Sequence, residues 1–316
     1  MKENKKKNLE NKEDKHEYKY LTYLYPNGNG KDYELVKEIE KVILNYGEYP
    51  LDNIVGLDNI KKYFDEEIIQ PIKNNQKNKK IKDILLYGGP GTGKTLLVKT
   101  YWTQKDITFL NFHPVNLISK INKEGEKLIS IIFDMAKYYS PTILFIDEID
   151  LLNEKETFIN ELLKQMEIIN SYNNGIKNII VLGATNRPWR LKDKIVKIFE
   201  KKIYIPLLKE NERKKMFELI FKNIKIDDNV NFDELAKLTE GYTNADIYTL
   251  SQDAIYEPIR KKVKEDKNFC NKKSLKIELI VNMEDIIKAI KNQNKTMSQE
   301  DFDKFENFTK EYGGNK

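Results

Sequence analysis

Cysteine is almost absent from this chain of 316 residues. Cys270 stands alone, which excludes an intrachain disulfide framework and a cysteine-ligated zinc site and fits a reducing compartment. Histidine is nearly as scarce: His16 and His113 are the only two, and their spacing matches no metal-ligand pattern. No apolar run is long enough to cross a bilayer. Met1 to Lys19 is dominated by Lys, Glu, Asn and Asp without an apolar segment, so neither a transmembrane helix nor a secretory leader is expected. A dominant charge sign is also missing. The 55 Lys and Arg offset 50 Asp and Glu to leave a net charge of +5, and both signs are mixed along the chain. Lysine runs such as Lys77 to Lys82 read as solvated surface, and no base-reading motif accompanies them, so direct nucleic-acid binding is not expected. These absences describe a soluble, cytoplasmic protein.

What is present is enough apolar material, 40% of residues beside 33% charged, for one α/β domain and a smaller companion. Residues 1–31 are polar and end in Pro26-Asn27-Gly28-Asn29-Gly30, which reads as a disordered, charged leader. Leu35, Ile39, Val42 and Ile43 recur at helical spacing. From Ile84 onward, β-rich runs alternate with helical patterns: Ile84 to Tyr87, Ile107 to Phe112, Thr142 to Ile146, Asn178 to Gly183 and Lys202 to Ile205. That alternation predicts a parallel sheet covered by helices on both faces. Beyond Pro206 the periodicity predicts helices over about 210–224, 231–239, 244–263, 283–291 and 298–311, with one weak strand at Leu275 to Val281. The expected divisions are a large α/β domain over 32–206, a helical subdomain over 207–297 and a last helix over 298–316 that packs back on the large domain.

Gly88-Gly89-Pro90-Gly91-Thr92-Gly93-Lys94-Thr95 satisfies G-x-x-x-x-G-K-[ST] between an apolar strand and the helix-forming run that starts at Leu96. Glycines there let backbone N–H groups turn inward around phosphates, and the helix N-terminus adds a favourable dipole. Lys94 would reach the β- and γ-phosphates of ATP, and the Thr95 hydroxyl suits Mg²⁺. A second strand, Thr142 to Ile146, ends in Asp147-Glu148, where a parallel sheet presents its ligand crevice. Asp147 would hold Mg²⁺ through water, and Glu148 would orient and deprotonate the attacking water. A third strand ends at Thr185-Asn186, placing an amide near the γ-phosphate if that strand lies beside the first.

This set resembles an AAA ATPase: the phosphate loop, the Asp-Glu strand, Ala184-Thr185-Asn186-Arg187-Pro188 and a helical lid. Asp52-Asn53-Ile54-Val55-Gly56-Leu57 resembles the adenine-side segment of the superfamily. Phe199 to Leu207 resembles the corresponding stretch of the meiotic clade, which contains katanin, spastin, fidgetin and the ATPase that disassembles ESCRT filaments. Glu240 to Ile247, continuing to Arg260, is similar to the clade's lid helix, whose small residues, here Ala245, approach the nucleotide. Phe308 to Gly313 resembles its C-terminal helix. The resemblance implies a P-loop α/β domain with a helical lid, ATP and Mg²⁺ as ligands, and a homo- or hetero-hexamer of related subunits. Its substrate would be a protein polymer, either microtubules built of tubulin or ESCRT filaments. Nucleotide contacts carried over are Gly88 to Leu96, Ile54, Val55, Gly56 and Ala245; Asp147, Glu148 and Asn186 carry the chemistry.

The chain departs from that pattern at four places. Consecutive arginines that reach a neighbour's γ-phosphate in hexameric relatives read Val196-Lys197-Ile198, and a lone Lys197 lacks the planar fork that matches phosphate oxygens. A trans arginine supplies about 10³–10⁵ in rate in GTPases, so weakened self-stimulation is expected. The first pore loop reads Lys120-Ile121, with an aliphatic residue in place of the aromatic that grips a threaded peptide. The second, around Asn153 to Glu156, is shortened. Gly89 stands where relatives usually have proline, a change that glycine's backbone freedom tolerates. Set against the clade, no room is expected for an N-terminal microtubule-interacting module, and Lys261 to Leu279 is too short for the full β-domain insertion of the ESCRT enzyme, which implies substrate adaptors that are missing or supplied in trans. A nucleotide-switched regulatory subunit working beside an arginine-bearing paralogue is the alternative to an active ATPase.

Overall fold

A computed structural model describes residues 18–44, 54–74, 81–102, 107–115, 125–154, 156–171, 179–265 and 280–313. The chain opens with α1 (Lys19–Leu24) and α2 (Tyr33–Leu44), followed by α3 (Asp58–Phe64), a π turn over Asp65–Ile69, and α4 (Gln70–Lys73). The α/β body then runs β1 (Ile84–Tyr87), α5 (Lys94–Trp102), β2 (Thr108–Phe112), α6 (Gly125–Tyr138), β3 (Thr142–Ile146), α7 (Glu156–Ser171), β4 (Ile179–Thr185), α8 (Asp193–Ile198) and β5 (Lys201–Tyr204). After it come α9 (Glu210–Phe221), α10 (Phe232–Leu238), α11 (Asn244–Glu265), α12 (Met283–Asn292) and α13 (Gln299–Tyr312).

The five strands form one sheet in the order β2-β3-β4-β1-β5, every pairing parallel. Strands β1, β3 and β4 are buried at every position, which is why they read as unbroken apolar runs rather than alternating ones. One face packs on α2, α6 and α7 through Ile39, Ile132, Phe133, Leu162 and Met166. The opposite face packs on α3 and α5 through Phe64, Leu97, Val98 and Trp102. The lid helices α9 to α12 close a third core around Phe217, Phe221, Leu250 and Ile286.

Strand β1 lies between β4 and β5, with Tyr87 opposite Thr185 and opposite Tyr204. The chain therefore leaves β1, passes the positions of β4 and β3 to reach β2, and returns through β3 and β4, and the crossing opens a crevice at the carboxyl edge. Three segments converge there: the loop after β1, the Asp-Glu pair after β3 and Asn186 after β4.

Two expectations shift. The leader expected to be disordered over residues 1–31 contains α1, which buries Tyr20 and Leu21 in the main core. Polar composition hides this because the helix contributes only those two buried side chains. The weak strand at 275–281 falls mostly outside the described residues; Val281 makes an isolated parallel bridge with Ile226. In the last helix, Phe305 and Phe308 join the main core and Phe308 meets the Tyr87 ring edge-on at 5.0 Å.

Candidate functional site

The loop from Gly88 to Gly93 turns with positive φ at Gly91 (+75°) and Gly93 (+96°), the left-handed region that a side chain rarely adopts. Space enforces the same choice at Gly91. A Cβ there would stand 2.7 Å from the Ala245 methyl and 3.0 Å from the Thr243 hydroxyl, so lid and loop approach closely only because both sides are small. The Ala245 N–H donates to the Gly91 carbonyl at 3.1 Å, fastening the start of α11 to the loop.

Lys94 opens α5 and is 5% exposed. Its ammonium donates to the carbonyls of Gly88 (2.9 Å) and Gly89 (2.8 Å). Burial pulls its pKa down to about 8, while the carboxylates of Asp147, Asp150 and Glu148 pull it upward. A desolvated ammonium held by neutral carbonyls is a strong electrostatic seat for an anion. The adjacent Thr95 hydroxyl donates to Asp147 Oδ2 at 2.8 Å, so hydroxyl and carboxylate stand together at the loop's edge. Glu148 follows with φ of +47°, an unusual conformation for glutamate, and its N–H donates to Asp147 Oδ1 at 3.1 Å. Glu148 Oε2 lies 3.4 Å from His113 Nε2 at the end of β2.

A cavity of about 860 Å³ joins these groups: Pro90, Gly91, Gly93, Lys94, Thr95 and Leu96 from the loop, Asp147, Glu148 and Asn186 from the strand ends, and Ala245 from the lid. Ile54 and Val55 line a smaller recess of about 60 Å³ beside Thr92, Gly93 and Leu96. Gly56 lines neither. Its missing side chain instead admits Glu212 of α9, whose Oε1 lies 2.6 Å from where a Cβ would stand. Thr92 turns its hydroxyl back to the Gly89 carbonyl at 2.9 Å.

Lys120 and Ile121 lie outside the described residues. The shortened segment near Asn153 runs from a 3₁₀ helix, Ile149–Glu154, into α7. At the positions that replace the arginines, Val196 is 1% exposed within the main core, Ile198 is half-buried and Lys197 is exposed. Sequence reading missed several cavity residues. Met216, Leu219 and Ile220 come from α9, and Asn244, Tyr248 and Gln252 from α11. Helical periodicity marks such faces as apolar or mixed without saying which neighbour they face. Asp150 was also missed; it accepts from the Thr185 hydroxyl at 2.6 Å, and that hydroxyl accepts from the Arg187 N–H at 3.0 Å, fixing the turn that carries Asn186.

The residues present fit a triphosphate and Mg²⁺. The ammonium is buried and desolvated, the loop's glycines leave a cradle, and one hydroxyl–carboxylate pair is in contact. Among the described residues no group of three or more His, Cys, Asp or Glu makes a self-sufficient metal cage. Mg²⁺ in such sites is held by one or two protein oxygens together with phosphates.

Fold and site together define a P-loop nucleotide-binding domain of the AAA type with a helical lid. Three family models match in succession. They are the ATPase family associated with various cellular activities over residues 84–207, the AAA+ lid domain over 229–271 and the Vps4 C terminal oligomerisation domain over 270–313. The A-like 1 form of the katanin p60 ATPase from Rattus norvegicus is 32% identical over 308 residues, covering 90% of this chain and 63% of the relative. The Danio rerio protein of that name aligns with the same identity and coverage. The chain thus spans 63% of the length of these relatives. Among solved structures, the FIGL-1 AAA domain in complex with ADP superposes with a TM-score of 0.79 at 29% identity, covering 91% of this chain and 99% of that one. A katanin structure that addresses self-assembly gives 0.74 at 27%, covering 90% and 99%. The chain belongs to the AAA ATPase family, within the meiotic clade. Among the described residues, no helix is long and apolar enough to cross a membrane.

Proposed function

We propose that this chain binds and hydrolyses Mg-ATP as one member of a cytoplasmic AAA ring and uses the cycle to take apart a protein polymer. The observation that carries the first half is the convergence of Lys94, the Thr95–Asp147 pair, Glu148 and Asn186 on one 860 Å³ cavity. Lys94 binds the β- and γ-phosphates. Thr95 and Asp147 would hold Mg²⁺, the latter through water, and the ion would supply charge neutralisation on the phosphate oxygens. Glu148 takes the proton of the attacking water, and Asn186 orients that water by hydrogen bonding. Ile54 and Val55, which line the apolar recess together with Leu57, Leu97 and Met216, flank the base.

Likeness to katanin A-like 1 along 308 residues favours a microtubule as the polymer. The match to the Vps4 C terminal oligomerisation domain keeps ESCRT filaments as the second candidate and supports assembly through the C-terminal region. Steady-state ATP turnover of the purified chain, with Glu148→Gln as control, tests the enzymatic reading. Turnover no higher than the control at micromolar protein would sink it. Electron microscopy of Glu148→Gln with ATP tests the ring; monomers at high concentration count against it.

One observation favours a second reading, a nucleotide-switched regulatory subunit. With Val196 in the core and only Lys197 exposed, this chain offers a neighbour no guanidinium at the expected positions. Such a subunit would receive an arginine from a paralogue and return none.

A further inference from the structure

The parallel ladder between β3 and β4 ends at Ile146 opposite Gly183. The last two residues of β4, Ala184 and Thr185, therefore run on toward Asn186 with β1 as their one neighbouring strand. Their other side is taken by the 3₁₀ helix Ile149–Glu154, which follows Glu148 directly. Two contacts seat that helix. The Leu151 N–H donates to the Glu148 carbonyl at 2.9 Å, tying the first turn to the acid. Ile149 is fully buried, and its Cδ1 lies 3.3 Å from where a Cβ on Gly183 would stand, so the helix rests on β4 where that strand has no side chain.

From this seat the helix reaches the Asn186 turn on both sides. Before Asn186, the buried Thr185 hydroxyl donates to Asp150 Oδ1 at 2.6 Å, the short distance of a charge-assisted bond, and accepts from the Arg187 N–H at 3.0 Å. Beyond it, Asn153 Nδ2 donates at 2.6 Å to the carbonyl of Arg190, the last residue of the short 3₁₀ turn Pro188–Arg190. Asn186 thus sits between two anchors that belong to one helix. Phosphate binding needs no such grip, because the Lys94 ammonium is held by the carbonyls of its own loop. The hydrolytic step does need it, since a misplacement of about 1 Å can cost about a hundredfold in rate.

We propose that Asp150 and Asn153 are positioning residues for ATP hydrolysis, gripping the Asn186 turn from both sides and holding its amide in register with the Glu148 carboxylate. This role rests on the ATP-site reading above and adds the residues that fix the separation of its two water-handling groups. A grip that merely stiffened the fold would lower the melting temperature without separating kcat from nucleotide affinity.

The test is ATP hydrolysis by the full chain, at steady state and in single turnover, beside calorimetric binding of ADP. Asp150 stays in place because its carboxylate also favours the charged form of Lys94. Thr185→Val removes the hydroxyl and no charge; it should lower kcat about tenfold or more while KM and ADP affinity stay within about twofold. Asn153→Ala should lower kcat at least about threefold with the same unchanged binding. Thr185→Ser returns the hydroxyl and should restore kcat to within about twofold of wild type. In an Asn186→Ala background no amide remains to be held, so adding Thr185→Val should change the single-turnover rate by less than about twofold. ADP binding by each variant shows that it is folded. The inference falls if either Thr185→Val or Asn153→Ala leaves kcat unchanged, if kcat falls only together with ADP affinity, if serine fails to restore it, or if the Thr185→Val loss persists without the Asn186 amide. Wild type that binds ADP but turns ATP over no faster than Glu148→Gln would instead overturn the hydrolytic reading, and this role with it.

Discussion

The sulfur of Met297 lies too close to Gly89 to leave room for a Cβ there, with the Met297 methyl carbon 2.9 Å from where that Cβ would stand. Gly89 lies in the phosphate loop, and Met297, 4% exposed, belongs to the main core just ahead of α13. The C-terminal segment is thereby keyed into the phosphate loop, and the two residues form a matched pair. Gly89→Ala should cost about 1–3 kcal/mol as an overpacked contact. The Gly89→Ala/Met297→Ala double variant should cost less than the sum of its singles, because the space one fills the other vacates. Thermal melts of the four proteins check this, and additive losses would show that the residues act independently.

The depressed pKa of Lys94 sets a pH dependence for nucleotide affinity. Burial lowers it from 10.5 to about 8 in the ligand-free site, and a bound polyphosphate favours the charged form. Below about pH 8 the ammonium is already charged and affinity from this group is flat. Above it, binding must take up a proton, so ADP affinity should fall by up to about tenfold per pH unit until the pKa of the complex is reached. Calorimetry between pH 7 and 9.5 in buffers of different ionisation heat reads both the slope and the proton uptake. The same shift costs folding stability below about pH 8, and that cost fades as pH rises toward the unfolded-state value.

Glu40 caps a helix to which it does not belong. Its carboxylate, 1% exposed, accepts from the N–H groups of Tyr20 and Leu21, both at 3.0 Å, and from the Tyr139 hydroxyl. Helix α1 has no side-chain cap of its own, so a buried charge on α2 satisfies its first turn. Glu40→Ala should cost about 1–3 kcal/mol and expose Lys19 to trypsin well before the rest of the protein is cut. Unchanged cleavage at Lys19 would show that the buried Tyr20 and Leu21 side chains hold α1 without the carboxylate.

What the sequence disclosed and what it hid follow from how local each signal is. The phosphate loop, the Asp147-Glu148 strand end and the five strands were readable because burial on both faces writes continuous apolar runs and turning around phosphates demands glycine. Strand β4 runs from Ile179 to Thr185, beyond the apolar run that stops at Gly183, since a buried threonine pairs in a ladder as well as an aliphatic residue. Helix α1 was lost in a polar segment because its support comes from Glu40, nearly twenty residues on. Asn244 escaped notice because Thr243 and Asp246 form the cap that its own residue type suggests, which only coordinates reveal.

The burial of Val196 dictates how a missing arginine finger can be restored. A guanidinium at 196 would enter a core position and carry an unpaired charge with it, a cost of several kcal/mol that would unfold α8 before it reached a neighbouring subunit. Lys197 is exposed on the same short helix and already positive, so Lys197→Arg changes only the shape of the cation. If copies of this chain assemble with position 197 facing the next pocket, a planar donor fork there should raise steady-state turnover at least about tenfold, part of the roughly 10³–10⁵ that a trans arginine supplies elsewhere. The gain should appear only at protein concentrations that support assembly. It should vanish when the variant is mixed with excess Lys94→Ala protein, because neighbours with empty pockets give the arginine nothing to act on. Unchanged turnover across that concentration range would mean that no pocket lies opposite 197 in a homo-oligomer, which favours a regulatory role for the chain, seated beside an arginine-bearing paralogue.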